Sequence, residues 1–217
     1  MGMKLIVGNK NYSSWSMRPW IAMRVFGIDF TDEVIPLYQP GSREKILAHS
    51  PSGKVPCLID GDIAVWETLA ILDYLADKFP NLPLWPKDMK ARAMARAISS
   101  EMHAGFAPLR NHLPMNMRRD PKRPRDLTPD VEANVERIDA IWSGARAQFG
   151  KDGPFLFGAF TNADAMYAPV VSRFASYNIK VGEPSRRYMD AVMALPAWKE
   201  WEVAGLAEPW IMQNNEV

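Results

Sequence analysis

The chain has 217 residues, 47% of them hydrophobic and 24% charged, with a net charge of +1. These values are ordinary for a globular protein, and the nearly neutral charge gives no general attraction to nucleic acid or to membranes. No apolar run approaches the roughly 18 residues that a membrane span needs, and the N-terminus turns polar too early for a secretory signal. With Cys57 as the single cysteine, we expect a reducing, cytoplasmic environment.

Strand and helix patterns alternate along the first 80 residues. We predict, in order, a strand over 4–7, a polar loop over 8–16, a helix over 17–26, a strand over 32–35, a short helix within 41–50, strands over 55–59 and 63–65, and a helix over 68–79. Pro19 fits its helix only in the first turn, and Asp60-Gly61 is typical of a hairpin turn. This order predicts an α/β domain with a small mixed sheet covered by helices.

The remainder of the chain carries helical patterns. Three prolines within 80–86 predict a linker at 81–87 that separates a domain over 1–80 from one over 88–217. We predict helices over 91–113, 129–149, 161–177, 184–195 and 197–203. The third of these opens with Thr161 and Asp164 at the spacing of a capping box. The second domain is therefore predicted to be an all-α helical bundle.

The segment Lys54-Val55-Pro56 opens one of the predicted strands. If the Val55-Pro56 bond is cis, the Val55 backbone turns outward and can pair with an extended peptide ligand. The alternative is a trans proline that merely begins an edge strand, since only about 5–6% of X-Pro bonds are cis.

Glu67-Thr68 stands at the start of the helix predicted over 68–79. Free backbone N–H groups and the helix dipole make such a position a carboxylate site, and the Thr68 hydroxyl adds a donor. Glu67 offers an anion to an ammonium group, so the pair matches the zwitterionic end of an amino acid. Alternatively, both residues only stabilise the start of the helix.

A serine-rich loop with Ser13, Ser14 and Ser16 leads into the first predicted helix, where one serine could simply cap the helix. Taken together, the three features resemble the glutathione transferase superfamily, and the chain is identified as a bacterial, serine-type member nearest to the zeta class. That class reads Ser-Ser-Cys-Ser-x-Arg where this chain has Ser-Ser-Trp-Ser-Met-Arg. The other segments that resemble the family are its proline loop, its Gln-Ser or Glu-Ser turn and three stretches of its helical domain: Lys54-Val55-Pro56, Glu67-Thr68, Ile98-Ser99-Ser100, Gly105-Phe106-Ala107-Pro108-Leu109 and 161–164.

The resemblance implies a thioredoxin-like N-terminal domain, a helical C-terminal domain that contributes the electrophile pocket, and glutathione as co-substrate. It implies that Glu67 and Thr68 hold the γ-glutamyl end of glutathione. The Val55 backbone, beside Pro56, would pair with the cysteinyl unit, and Lys54 would face the glycine carboxylate. A homodimer and a role in detoxification follow from the same resemblance.

The serine classes of the family place their active hydroxyl at the position of Ser13. A thiol like that of glutathione has a pKa of about 8.5, so little thiolate exists at neutral pH. One hydrogen bond to the thiolate is worth about 1.5–3 kcal/mol, which lowers the thiol pKa by about one to two. We expect Ser13 to act as a hydrogen-bond donor and not as a nucleophile, because no His and carboxylate pair is evident to activate it.

Trp15 stands where the zeta class has cysteine, which disfavours thiol exchange. The indole would also crowd the pocket for zeta-type isomerisation of a cis dicarboxylate, so a small apolar electrophile fits better. The residues expected to line its pocket are Trp15, Met102, His103 and Phe106, of which the last three could equally lie in the domain interface. The alternative functions are a zeta-type isomerase and a non-catalytic interaction module of the same fold.

Other chemistry-bearing residues have simpler explanations. Cys57 follows a proline on a predicted strand and is expected to be a buried thiol. His49, His103 and His112 show no metal spacing and no Gly-rich phosphate loop occurs, so we expect glutathione as the sole cofactor-like ligand and no metal. The basic run over 118–125 suggests nucleic acid, but its prolines and its place between helices favour a solvated loop.

Overall fold

A computed structural model describes residues 2–217. The N-terminal half contains β1 (Met3–Val7), α1 (Ser14–Val25), β2 (Phe30–Val34), α2 (Ser42–Leu47), β3 (Cys57–Asp60), β4 (Ile63–Trp66) and α3 (Thr68–Lys78). The four strands form one sheet in the order β2-β1-β3-β4. β1 is parallel to β2, and β3 is antiparallel to both of its neighbours. The predicted small mixed sheet with helices is therefore confirmed.

Helix α1 begins at Ser14, three residues before the predicted start, so Pro19 lies inside the helix and not in its first turn. Proline has no backbone N–H, so the carbonyl of Trp15, four residues earlier, receives no helical hydrogen bond from it. The hydroxyl of Thr68 donates to that carbonyl instead, over 2.9 Å. This bond ties the start of α3 to the first turn of α1.

The hairpin between β3 and β4 turns one residue later than predicted. Asp60 pairs with Ile63, so the two loop residues are Gly61 and Asp62. Gly61 has a φ of +64°, a conformation that glycine adopts without steric cost. The predicted antiparallel pairing is confirmed.

The C-terminal half is helical throughout, as predicted. It contains α4 (Met89–Ala104), α5 (Ala107–His112), α6 (Pro129–Phe149), α7 (Asn162–Ser176), α8 (Glu183–Met193) and α9 (Pro196–Leu206), followed by a 3-10 turn (Gln213–Asn215). None of the helices in residues 2–217 combines the length and the apolar character that crossing a membrane requires.

The prediction of a single helix over 91–113 is wrong, because two helices, α4 and α5, occupy this segment. Phe106 has a φ of +57° at this break. Pro108 has no N–H to donate to the carbonyl of Ala104, so the α4 hydrogen-bond ladder cannot continue. The break turns α5 away from α4 and brings Arg110 towards the N-terminal domain.

The segment predicted as a linker packs against both halves of the molecule. Leu84 and Trp85 are buried. The carbonyl of Leu84 accepts a hydrogen bond from the Asn162 backbone at 2.8 Å, and the Trp85 indole donates to Asp73 at 3.0 Å. One continuous cluster of buried apolar side chains runs through both halves, so the cleft between them has rigid walls.

Candidate functional site

A first cavity, of about 250 Å³, lies between the two halves of the molecule. Its walls bring together residues from the loop before β3, the start of α3, the first turn of α1, and the α4–α5 region. The lining residues are Trp15, Lys54, Val55, Pro56, Glu67, Thr68, His103 and Arg110. All five residues that the sequence associates with glutathione, Lys54 to Pro56 and Glu67-Thr68, thus face one space, although two separate segments supply them.

The Val55-Pro56 peptide bond is cis, so the trans alternative is wrong. Val55 is partly exposed, and its backbone N–H and carbonyl make no backbone hydrogen bond within residues 2–217. β3 begins only at Cys57, which pairs with Trp66. The Val55 backbone is therefore free to bind an extended peptide from the cavity side.

The start of α3 has the features of a binding site for a zwitterion. Glu67 precedes the helix with φ 69° and ψ 126°, a backbone conformation that is costly for a residue with a side chain and that is frequent at functional sites. The first backbone N–H groups of α3 have no helical partner. The Thr68 hydroxyl donates to the carbonyl of Trp15 and is not free to donate to a ligand, contrary to the expectation from the sequence. Thr68 therefore offers a ligand its backbone N–H.

A second cavity, of about 430 Å³, contains the serine loop. Ser13 and Ser14 line it, whereas Ser16 is fully buried and lines none of the three cavities described here. The Ser14 oxygen accepts a hydrogen bond from Arg173 at 3.3 Å, which leaves the Ser14 hydroxyl proton free to donate. Ser13 and Ser14 are therefore the two serines whose hydroxyl groups can meet a ligand in this cavity.

Ser13 and Ser16 form a hydroxyl pair. The Ser13 hydroxyl donates to the Ser16 oxygen over 2.8 Å, and the Gly8 N–H donates to the same oxygen at 3.0 Å. Because hydroxyl groups rotate, the pair can reverse so that Ser16 donates to Ser13. The Ser13 proton is then free for an anion in the cavity.

A third cavity, of about 480 Å³, lies beyond Lys54 on the α2 side. Lys54 and Arg43 line it, and both carry positive charge. Trp15 and Val55 line all three cavities. An extended ligand that crosses Val55 can therefore reach from Glu67 at one end to these two cations at the other.

Trp15 is fixed at the centre of the site by its neighbours. The guanidinium groups of Arg18 and Arg110 lie 4.2 and 5.3 Å from its ring centroid, and the His103 ring meets it edge-on at 5.3 Å. Cation–π contacts of this kind orient the indole and hold the cations near it. His103 also lies 3.8 Å from the Glu67 carboxylate, so it belongs to the first cavity.

Met102 and Phe106 do not line any of these three cavities, which corrects their expected place in the electrophile pocket. Met102 has no exposed surface and Phe106 is 8% exposed, and both belong to the core cluster. The buried face of α4 carries Ala91, Ala95, Ile98 and Met102 at helical spacing. His103, one position further, turns to the cavity instead.

Three arginines surround the loop from Ser13 to Trp15. Arg18 is fully buried and donates to the carbonyls of Met166 and Ser14, at 2.8 and 3.1 Å. Burial, and then the neighbouring charges of Arg173 and Arg110, hold the pKa of Arg18 well below its ordinary value. Burial, together with Arg110, lowers the pKa of Arg173 to about 10.

Sequence reasoning missed Arg110 and Arg173. Nothing in their spacing marked them, because Arg173 reaches the site through the packing of α7 against α1, and Arg110 through its contact with the ring of Trp15. Only Arg173 had a sequence signal, since it stands among apolar residues of α7 that are nearly all buried.

The remaining candidates lie elsewhere. Cys57 is buried, and burial raises the pKa of its thiol, as expected of a structural cysteine. Within residues 2–217, no group of three metal-binding side chains comes together. The basic run is an exposed loop over residues 120–124, as predicted, but its first two residues are not: Arg119 is 7% exposed, and Arg118 donates to the carbonyls of Glu208 and Trp210.

Comparisons with known proteins agree with this architecture. The chain is similar over 100 residues, at 38% identity, to a Caenorhabditis elegans protein named probable maleylacetoacetate isomerase, an alignment that spans 46% of this chain and just under half (46%) of the relative. It is 27% identical over 191 residues to a Triticum aestivum protein named glutathione S-transferase, spanning 86% of this chain and 87% of that protein.

A crystal structure of a glutathione transferase homolog from Burkholderia gl BGR1, with bound glutathione, shares the fold. The TM-score is 0.72 at 20% identity, covering 96% of this chain and 100% of the other. The small mixed sheet is thus the thioredoxin-like domain of such structures, followed by their helical domain.

Two family models match in the order that this fold requires. Residues 12–78 match the N-terminal domain of glutathione S-transferase, and residues 128–202 match its C-terminal domain. The two ranges together take in more than half of the sequence, so the chain belongs to the glutathione S-transferase family.

Proposed function

We propose that the chain is a glutathione transferase in which the Ser13 hydroxyl stabilises the glutathione thiolate. One observation carries the proposal. The first cavity, which Lys54, Glu67 and Thr68 line, shares the lining residues Trp15, Val55 and Arg110 with the cavity of Ser13. A ligand held in the first cavity can therefore present a thiol to the second.

Glutathione fits the first and third cavities in one orientation. The ammonium group of its γ-glutamyl end pairs with Glu67. The adjacent carboxylate accepts hydrogen bonds from the free backbone N–H groups at the start of α3. The cysteinyl backbone pairs with Val55. The glycine carboxylate then reaches Lys54 and Arg43, which both line the third cavity.

The chemistry at the junction follows from the Ser13 hydroxyl. The thiol loses its proton to water, and the hydroxyl donates a hydrogen bond to the thiolate, worth about 1.5–3 kcal/mol. The thiolate sulfur then forms a bond to an electrophilic carbon while the leaving group departs with its electron pair. Glutathione is the co-substrate, and no step involves a metal.

The second cavity revises the expected electrophile. It carries apolar side chains such as Leu37, Met115 and Met212, but also the guanidinium groups of Arg110 and Arg173. No carboxylate residue lines it. An electrophile with an apolar body and an anionic substituent fits this cavity better than a purely apolar one.

A second candidate function is glutathione-dependent cis–trans isomerisation of an unsaturated dicarboxylate. The second cavity favours it, since the Arg110 guanidinium can pair with a carboxylate and Arg173 adds positive charge nearby. In that reaction the thiolate adds to the double bond, the resulting single bond rotates, and elimination restores both the double bond and the thiolate. Trp15, at the cysteine position of the zeta class, narrows the space for it.

A homodimer is part of the proposal. Large apolar side chains are exposed at the edge of the sheet and at the start of α4, with Ile63 46%, Trp66 41% and Met89 74% exposed. Such side chains are typical of surfaces that another copy covers. The domain boundaries at 80 and 88 likewise remain part of the proposal.

Steady-state kinetics test the proposal. Conjugation of glutathione to a chlorodinitrobenzene, and isomerisation of a cis dicarboxylate, are measured for the wild type, Ser13→Ala and the control Ser100→Ala, an exposed serine on α4. We expect Ser13→Ala to lose about 10- to 100-fold in kcat/KM, since the thiol pKa rises by about one to two, and the control to lose nothing. Glutathione binding without either reaction would identify a non-catalytic interaction module instead.

A further inference from the structure

Arg110 occupies the junction at which the glutathione sulfur must lie. The first cavity and the cavity of Ser13 share three lining residues, Trp15, Val55 and Arg110. A cysteinyl unit paired with the Val55 backbone places its sulfur beside this shared wall. Of the three residues, Arg110 alone carries a charge.

The guanidinium of Arg110 lacks a partner in the protein. Its Nε is buried without a hydrogen-bond partner. None of the ion pairs within residues 2–217 includes Arg110. Arg110 is partly exposed to the two cavities, so its guanidinium is free to bind an anion that enters them.

The neighbouring arginines do not fill this role. Arg18 donates to backbone carbonyls and lines none of the three cavities. Arg173 donates to the carbonyl of Leu113 and to Ser14. Their charges add to the positive potential around the serine loop, but their hydrogen bonds are largely taken by the protein.

We propose that Arg110 is a second catalytic residue, which contacts the glutathione thiolate and shares its stabilisation with Ser13. The inference rests on the proposed function and adds a residue to it. Trp15 holds the guanidinium in place, since its ring centroid lies 5.3 Å from Cζ of Arg110. The thiol proton goes to water, the sulfur keeps the electron pair, and Arg110 stays protonated throughout.

Other charged or titratable groups border the junction as well. They are Arg18 on α1, Lys54 before β3, Glu67 before α3, His103 on α4, Arg173 on α7, and Tyr12 and Tyr38 in loops that line the cavity of Ser13. Only Glu67 opposes thiolate formation, and it pairs with the ammonium group of the bound ligand. An opposite charge within about 4–6 Å shifts a pKa by about one to three, so Arg110 can match the contribution of Ser13.

The test is a pH titration of the thiolate absorbance of bound glutathione in the wild type, Arg110→Met and Arg110→Lys. We expect the thiol pKa to rise by about one or more in Arg110→Met, and the lysine to restore part of the shift. Arg96→Met is the matched control, because Arg96 also lies over an indole, 5.7 Å from the ring of Trp85, but lines neither cavity of the junction.

S-methylglutathione separates a role at the thiolate from a structural one. It has no ionisable thiol, so Arg110→Met should bind it as tightly as the wild type does. A depressed thiol pKa that is equal in wild type and Arg110→Met overturns the role of Arg110 and leaves the proposed function standing. Loss of S-methylglutathione binding in Arg110→Met makes the residue structural and also overturns the proposal, whereas an unshifted thiol pKa in the wild type removes the proposed function itself.

Discussion

At the scale of single residues, Trp15 connects the fold to the site. Its carbonyl loses a helical bond because Pro19 has no N–H, and Thr68 replaces that bond. Its indole lines all three cavities and lies against Arg18 and Arg110. The Trp15 side chain therefore borders both the cavity at the start of α3 and the cavity of the serine loop.

The bond from Thr68 to Trp15 yields a direct prediction. Thr68→Val removes the hydroxyl but keeps the shape, leaving the buried Trp15 carbonyl without a donor, so we expect a loss of about 1–3 kcal/mol in the free energy of unfolding. Urea unfolding measures it. The control is Thr31→Val, an exposed threonine on β2, which should change stability little. Equal stability of Thr68→Val and wild type would contradict the proposed tie between α1 and α3.

At the scale of elements, the start of α7 depends on a buried carboxylate. Asp164 accepts hydrogen bonds from the backbone of Thr161 and Leu156, at 2.7 and 3.0 Å, and closes a capping box with Thr161. Burial raises the pKa of Asp164 to about 6, although these hydrogen bonds act in the opposite direction. The capping box predicted from the spacing of the two residues is thus confirmed.

This raised pKa predicts a pH-dependent stability. Between about pH 4 and pH 6 the folded chain holds a proton on Asp164 that the unfolded chain releases. The contribution of Asp164 to the free energy of unfolding therefore falls as the pH rises through this window. Denaturant unfolding of wild type and Asp164→Asn at several pH values isolates it, since asparagine does not titrate. If the difference in the free energy of unfolding between the two proteins does not change with pH, or rises with pH, Asp164 is ionised in the folded chain throughout this window.

Local patterns predicted most elements to within one or two residues but missed the start of α1 and the break between α4 and α5. The periodicity of Ile71, Leu72 and Leu75 marked α3 within one residue of its observed end. It could not mark the early start of α1, because Pro19 is accommodated there by a hydroxyl from a distant helix. The break before α5 was signalled by Gly105 and Pro108, but the apolar periodicity continued across it.

At the scale of the whole molecule, contacts between distant segments explain what the sequence left open. The C-terminal segment folds back onto the polar loop before α1. The Glu208 carboxylate accepts hydrogen bonds from the backbone N–H groups of Lys10 and Asn11, at 2.6 and 3.2 Å. Arg118 binds the carbonyls of Glu208 and Trp210 across the same space. The first two residues of the basic run therefore hold the C-terminal segment, since Arg119 also donates to the carbonyl of Val217, whereas residues 120–124 are exposed.

The site divides in the same way. The residues proposed to contact glutathione stand in short local motifs, at a proline, a helix start and a serine loop, so the sequence could mark them. Arg110 and Arg173 were not predictable, because α7 meets α1, and Arg110 on α5 meets the ring of Trp15, only in the folded molecule. The second cavity is built from such long-range contacts, so its polar character appears only there.

The central claim is that Ser13 stabilises the thiolate of bound glutathione, and a pH titration of the ultraviolet thiolate absorbance tests it most directly. We expect the pKa of the bound thiol in wild type to lie about one or more below that of free glutathione, and the pKa in Ser13→Ala to be about one higher than in wild type. Ser100→Ala serves as the control, since Ser100 is exposed on α4 and lines none of these three cavities. Glutathione bound with an unshifted thiol pKa, or a Ser13→Ala titration that matches the wild type, would contradict the claim.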